Sequence, residues 1–252
     1  MGFLILRHMK KEKLFIYGKH AVTEAILGSP HSVKKIFLSD KGDAEIEALA
    51  KETKILIFKT PQGAIKNENS HQGVFASIDI GSLVLKDSDL FKILKDNKDF
   101  SSFVYLDGVQ DPQNVGAIIR SAAAFGINAV MMPEKFQAGI TGGVAKSSSG
   151  MIFRVPIVLL DDPVNSILNL KNEGYVVYGL DGESREDVTK INFNKKSIFV
   201  MGNEALGIGN EIVKLCDQMI SIKMEKVCES LNVAVAAAIA FYELKKSRYG
   251  NN

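Results

Sequence analysis

Five short apolar runs in the second half of this 252-residue chain, FVYLD, NAVMM, YVVYGLD, SIFVMG and QMISIKM, alternate with helix-like segments. No other feature constrains the fold as strongly. Strands this apolar need cover on both faces, and strands separated by helices build a parallel sheet. The expected class is α/β. In such sheets ligands collect at the loops beyond the carboxyl ends of the strands. Three loops qualify: those after VYLD, after FVMG and after ISIKM.

The front of the chain reads as a separate, smaller α/β unit over residues 14–80. LFIYGKHAVTEAIL is an extended piece turning at Gly18 into a helix, VKKIFLS a strand, DAEIEALAKET an amphipathic helix, and KILIFKT and HQGVFASIDI strands. Residues 81–102 turn polar, with four lysines and four aspartates, and read as a linker with a short helix. A larger domain follows over 103–252. Residues 1–13 read as an N-terminal tail, too briefly apolar for a signal peptide or a membrane span, with Met9 as a more usual start.

Charge separates the two parts weakly. Residues 1–80 hold 12 Lys or Arg against 9 Asp or Glu, and residues 103–252 hold 15 against 16. Lys10, Lys11, Lys13 and Lys19 make the N-terminal part the better place for a polyanion, with a merely solvated face as the alternative. Cys216 and Cys228 have no CxxC spacing, which argues against a disulfide framework or a zinc site and for a reducing cytoplasm. No His–Cys cluster offers a metal site.

The first loop, DGVQDPQNVG, leads into the helix-like DPQNVGAIIRSAAAFG. Val115, Ile118, Ile119, Ala122 and Phe125 form its apolar stripe. Its other side, Ala117, Arg120, Ser121 and Ala124, carries one arginine among small residues, as if something approaches closely. Asn114 suits a helix N-cap, and Arg120 can equally be a plain surface arginine. In the second loop, VMGNEALGIGNEI, glycines at 202, 207 and 209 permit close contact with a ligand, although neither a dinucleotide fingerprint nor a P-loop is present. Glu204 there can cap a helix, orient Arg120 or bind an amine. The third, KVCESLNVAVAAAIAFYELKK, places Ser230 as an N-cap and Asn232 in a first turn. The alanine-rich helix behind them suits either burial in a monomer or packing against a second subunit.

In that order, LDGVQDPQNVGAIIRSAAAFG, IFVMGNEALGIG and ISIKMEKVCESLNVAVAAAIAFYE resemble the three signature motifs of the SpoU/TrmH family of S-adenosylmethionine-dependent RNA 2′-O-ribose methyltransferases. YGKHAVTEAI and HQGV resemble that family's small substrate-binding domain, and the resemblance spans about residues 14–246. It implies a C-terminal parallel-sheet domain with a trefoil knot, a homodimer formed through that domain, and a donor site including Gly202, Ile222 and Leu231. It further implies an active site of Asn114, Arg120, Glu204, Ser230 and Asn232. The subgroup most resembled methylates a guanosine ribose of 23S rRNA; methylation of tRNA, or an inactive RNA-binding module of the same fold, is the alternative. Lys223 and Lys226 depart from the family's usual proline and glycine.

The chemistry so implied leaves one hard step to the protein, which is stabilising a ribose alkoxide. A guanidinium keeps its proton. Arg120 is therefore expected to act as an electrostatic clamp on a neighbouring phosphate and the 2′-oxygen rather than as a base. Glu204 would orient Arg120 or the nucleotide, while Asn114, Ser230 and Asn232 would fix the loops.

Overall fold

The structure, a computed structural model, describes residues 13–60, 73–90, 93, 100–134 and 139–249. The expected tail, with Met9, Lys10 and Lys11, lies outside the described residues. The chain divides into two compact units, residues 1–83 and 84–252.

The first unit holds β1 (Lys13–Tyr17), α1 (Lys19–Gly28), β2 (Val33–Ser39), α2 (Ala44–Thr53), β3 (Ile57–Thr60), β4 (Val74–Asp79) and the short α3 (Ile80–Leu83). Gly18, at φ +94°, makes the turn between β1 and α1, a conformation that glycine adopts without a Cβ penalty. Asp43 caps α2 by accepting from the Glu45 and Ile46 N–H groups at 3.1 and 3.2 Å. The sheet order is β1-β4-β2-β3, antiparallel except for the parallel β2–β3 pair. Alternation along the strands sends Leu14, Ile16, Ile36, Leu38, Ala76 and Ile78 into a core shared with Val22, Ile26 and Ile46 of the helices.

The second unit comprises β5 (Val84–Lys86), β6 (Ser101–Asp107), α4 (Pro112–Phe125), β7 (Ala129–Pro133), α5 (Gly142–Ser147), β8 (Ile157–Leu160), α6 (Pro163–Asn172), β9 (Val176–Leu180), β10 (Glu186–Asp187), β11 (Lys196–Gly202), α7 (Asn210–Val213), β12 (Gln218–Ser221) and α8 (Val233–Tyr249). Its sheet runs β10-β12-β9-β11-β6-β7-β8-β5, and every pair is parallel. Both faces are covered, so Phe103, Val104, Tyr105 and Leu106 are buried in succession along β6. One face packs Phe103, Tyr105, Met131, Val158, Ile198 and Val200 against Ile167 and Leu170 of α6. On the other, Phe199 meets Phe241 of α8 edge to face at 5.7 Å.

Several local expectations change. Residues 81–102, read as linker, supply β5, which pairs with β8 at the sheet edge. Asp111, not Asn114, caps α4, accepting from the Gln113 N–H at 2.9 Å with Pro112 at the first helical position. Asn232, not Ser230, caps α8: its Oδ1 accepts from the Ala234 and Val235 N–H groups at 2.9 and 3.4 Å. Glu204 caps no helix, since α7 begins only at Asn210 behind Gly209. The small residues of α4 have a partial explanation in packing. A Cβ at Gly116 would meet Ser147 of α5 and, at 2.8 Å, the Ser148 nitrogen.

Candidate active site

The sheet order reverses between β6 and β11. From β6 the chain steps outward through β7 and β8, then returns to the opposite side at β9 and inserts β11 beside β6. Loops at such a switch point diverge and leave a crevice. Here the two loops are also tied together. The Asn203 amide donates to the Gly108 carbonyl at 2.8 Å, and the Gly209 N–H donates to Asp107 at 2.7 Å. Behind Asp107, the buried Tyr105 hydroxyl donates to its other oxygen at 3.4 Å. Burial and then the Asp107 charge hold that phenol well above the ordinary tyrosine range, so it stays a neutral donor.

The loop after β11 closes on itself. Asn203 and Gly207 exchange two backbone hydrogen bonds of 2.9 Å, and the Asn203 side chain accepts from the Ala205 and Leu206 N–H groups. Gly202 makes this possible: any Cβ there would meet the Ile208 nitrogen at 2.5 Å and the Gly207 carbonyl oxygen at 2.7 Å.

Between this loop and those after β9 and β12 lies a cavity of about 640 Å³. Gly202, Ile222 and Leu231, the expected donor-binding positions, all line it, as do Glu204, Ser230 and Asn232. Its walls mix apolar groups, such as Ile220 and Val233, with the carboxylates Asp181 and Glu204. A volume of this size suits a nucleoside-sized ligand. Two carboxylates in the lining suit a cationic one.

At the cavity's rim three side chains, one from the first turn of α4 and two from the loops after β11 and β12, form one chain of hydrogen bonds. The Asn232 amide donates to Asn114 Oδ1 at 2.9 Å, and the Asn114 amide donates to Glu204 Oε1 at 2.7 Å. The orientation has one solution. Asn232 Oδ1 is committed to the α8 N–H groups, so its nitrogen must face Asn114; Asn114 must then present its own nitrogen to the carboxylate. Asn114, Glu204 and Asn232 are thus brought together although 118 positions separate the outer two.

Asn114 and Asn232 also border a second hollow, of about 580 Å³, between α4 and α8. Its lining is mainly apolar and includes Ala117, Val235, Ala238, Ile239 and Tyr242. Val235 and Tyr242 are 47% and 53% exposed, so the alanine-rich helix is not covered all round within one chain.

Arg120 is not brought to the cavity. Its side chain is exposed on α4, six residues beyond Asn114 and so about 240° further round the helix. No ion pair or hydrogen bond to its side chain forms among the described residues. Lys223 and Lys226 are exposed on the loop after β12. Sequence reasoning passed over Asn203, Asp107 and Asp181, although the first two stand where strands end beside glycines, at Gly202 and Gly108. Among the described residues no group of three or more His, Cys, Asp or Glu side chains is placed to hold a metal ion.

Residues 101–242 match the SpoU rRNA Methylase family, and residues 15–81 match the RNA 2′-O ribose methyltransferase substrate-binding domain. A Staphylococcus saprophyticus protein assigned to the TrmH family of tRNA/rRNA methyltransferases is 34% identical over 244 residues, covering 94% of this chain and 97% of its own. The assigned relative YacO of Bacillus subtilis is 31% identical over 246 residues, covering 95% and 98%. In fold, the chain is similar to the SpoU methyltransferase AviRb of Streptomyces viridochromogenes, crystallised with AdoMet. The TM-score is 0.79 at 22% identity, over 94% of this chain and 91% of that one.

Proposed function

The chain belongs to the SpoU family of RNA methyltransferases, and from that premise we propose that it moves a methyl group from S-adenosylmethionine to a ribose 2′-hydroxyl in RNA. The hydrogen-bonded chain Asn232–Asn114–Glu204 at the rim of the cavity carries the reading, because it joins all three family motifs at one point. Bound there, the donor supplies an electrophilic methyl on a sulfonium.

The protein's own part is positioning and electrostatics. Gly202, Ile222 and Leu231 line the donor's cavity, and Gly202 lets the backbone of Gly207 and Ile208 approach. Glu204 keeps acceptor capacity beyond the one oxygen held by Asn114, enough to orient a ribose hydroxyl or a guanidinium. Ser230 and Asn232 hold the opposite rim. Fixing the attack line this way contributes much of a transfer rate. Arg120 clamps an RNA phosphate and stabilises charge growing at the 2′-oxygen. An exposed guanidinium without an acidic partner among the described residues suits that task.

The proposal includes a homodimer, since a second copy seated on the α4–α8 hollow would cover Val235 and Tyr242 and bring its own α4 to the rim. It includes a trefoil knot, supported by β11 inserted between β6 and β9. The substrate we favour is a guanosine of 23S rRNA, with the N-terminal unit gripping RNA. Methylation of tRNA is the second reading, favoured by the joint tRNA/rRNA assignment of the relatives. Two free thiols suit a cytoplasmic enzyme.

Labelled S-adenosylmethionine and total RNA from a strain lacking the gene test the reading, with the labelled ribose mapped afterwards. Arg120→Ala is expected to abolish transfer while S-adenosylhomocysteine still binds in calorimetry. Full activity in that variant removes Arg120 from the mechanism, and no binding of S-adenosylhomocysteine to the native chain leaves only an RNA-binding module.

A further inference from the structure

The cavity walled by the loops after β9, β11 and β12 is one-sided in charge. Asp181 and Glu204 line it, and no lysine, arginine or histidine does. Neither carboxylate has an ion pair among the described residues. Asp181 is the first residue beyond β9, and β9 lies between β12 and β11, so this carboxylate stands amid the loops that form the walls. Its placement is firm. The Asp181 N–H donates to the Ile220 carbonyl at 2.9 Å and the Ser184 hydroxyl to the Met219 carbonyl at 2.6 Å, which pins the turn to β12 at both ends. One Asp181 oxygen accepts from the Glu183 N–H at 3.0 Å; the other accepts no hydrogen bond among the described residues. Glu204 is already engaged by Asn114 at the rim, which leaves Asp181 as the carboxylate without a task.

From this lining we propose that Asp181 lets the cavity tell S-adenosylmethionine from S-adenosylhomocysteine by charge, so that transfer itself loosens the hold on the spent donor. The inference rests on the reading of the protein as a methyltransferase and names a specificity-determining residue of the same cavity. In the transfer the methyl carbon bonds to the ribose 2′-oxygen, whose proton passes to solvent, and the C–S electron pair stays on sulfur. A sulfonium thereby becomes a neutral thioether. The ligand drops from one net positive charge to none, and apart from the methyl group nothing else in it changes.

Magnitude makes the charge matter. Two opposite unit charges about 4 Å apart favour one another about five-fold even at the dielectric of bulk water, and more where a ligand displaces water. No cation in the lining offsets the carboxylates, and Arg185 and Lys223, close by in sequence, lie outside it. Nor does the lining offer a charged partner for the ligand's own carboxylate, which is left to backbone N–H groups or solvent. The lost methyl contributes as well, by about four-fold when fully buried. That part does not fall with ionic strength, whereas attraction between charges does. Salt and a charge-removing substitution therefore separate the two.

The test is calorimetry on the full chain without RNA. Its ligands are S-adenosylmethionine, S-adenosylhomocysteine and sinefungin, which carries an ammonium where the donor has its sulfonium. In low salt the native chain should bind both cationic ligands at least about five-fold more tightly than S-adenosylhomocysteine. The preference should shrink as salt rises to about 1 M, where the screening length is about 3 Å. Asp181→Asn keeps an acceptor for the Glu183 N–H and removes the charge. It should cut the preference about five-fold while S-adenosylhomocysteine affinity stays within about two-fold of native. Asp181→Glu should restore much of the preference. Glu183→Gln removes a carboxylate that does not line the cavity and should leave the preference as it is. Equal binding of all three ligands by the native chain overturns the proposal. So does an Asp181→Asn variant that keeps the native preference or weakens all three ligands alike. Failure of the native chain to bind any of the three would instead sink the methyltransferase reading itself.

Discussion

The two sheets solve the same covering problem in opposite ways. The eight-stranded parallel sheet is sealed on both faces, so its reactive groups can only stand beyond the strand ends, where Asp107, Gly202 and Asn203 sit. The four-stranded sheet is sealed by helices on one face, and its other face carries a row of partly exposed rings, Tyr17, Phe75, Phe37 and Phe58, rather than catalytic polar groups. A two-sided sheet converts strand alignment into precise loop placement; a one-sided sheet converts it into a row of side chains. Chemistry that depends on sub-ångström geometry fits the first.

Removing one ring from each sheet sharpens that contrast. Phe199 is fully buried and contacts the rings of Tyr178, Phe193 and Phe241 at 5.8, 5.3 and 5.7 Å. Phe199→Ala should cost about 3–5 kcal/mol of stability in urea unfolding. Phe58→Ala, taken from the aromatic row, should cost about 1 kcal/mol. Equal costs would mean that the aromatic row is core and not surface.

The next effect concerns loop placement. Gly202→Ala drives a methyl into the backbone of Gly207 and Ile208, whereas Gly182, on the same cavity, has nothing within 4 Å of a Cβ. Overpacking should cost about 1–3 kcal/mol in urea unfolding and, by displacing the loop that lines the cavity, weaken S-adenosylhomocysteine binding in calorimetry. Gly182→Ala should bind as the native chain does. Equal behaviour of the two variants would detach the β11 loop from ligand binding.

These positions also show what a sequence exposes. The buried parallel strands were legible because sealing both faces forces apolar runs such as SIFVMG. Gly202 was legible as a glycine directly after a strand. Asp111 as the α4 cap was also readable from Pro112 at the first helical position, although Asn114 has an equal capping preference three residues on. The α8 cap was not readable, because Ser230 and Asn232 have similar capping preference. Only the reach of Asn232 to Asn114, 118 residues earlier, decides between them. β5 was hidden because a three-residue edge strand is too short to show a period. The aromatic row was invisible, as Tyr17, Phe37, Phe58 and Phe75 lie on four separate strands and meet only through register. Local rules find elements; partners brought from afar choose among equal local options.

A smaller effect measures how far the strand-end loops act as a unit. Asn232→Ala removes a helix cap and the bond to Asn114, and should lower stability by about 1 kcal/mol. Asn114→Ala leaves the cap in place and cuts the same bond. A double-mutant cycle between them should show coupling of at least about 0.5 kcal/mol. Additive losses would mean that α4 and the two loops share a rim without sharing a network.

The smallest effect compares the inner side of the parallel sheet with its rim, using the two thiols the chain carries. Cys216 follows α7, where its sulfur lies 2.9 Å from where a Gly179 Cβ would stand. Burial pushes its thiol up to about 11, against a weaker downward pull from Lys171. A raised thiol pKa favours the neutral form, so at pH 8 only about one molecule in a thousand holds the reactive thiolate. Cys228, on the loop before α8, is exposed. Iodoacetamide at pH 8, followed by peptide mass spectrometry, should therefore label Cys228 and spare Cys216. Raising the pH toward 11 should bring Cys216 into reaction. Labelling of Cys216 at pH 8 at the rate of Cys228 would mean that the sheet's inner side opens as freely as its rim. The division between a sealed scaffold and an accessible rim would then fail in the region where it is drawn most sharply.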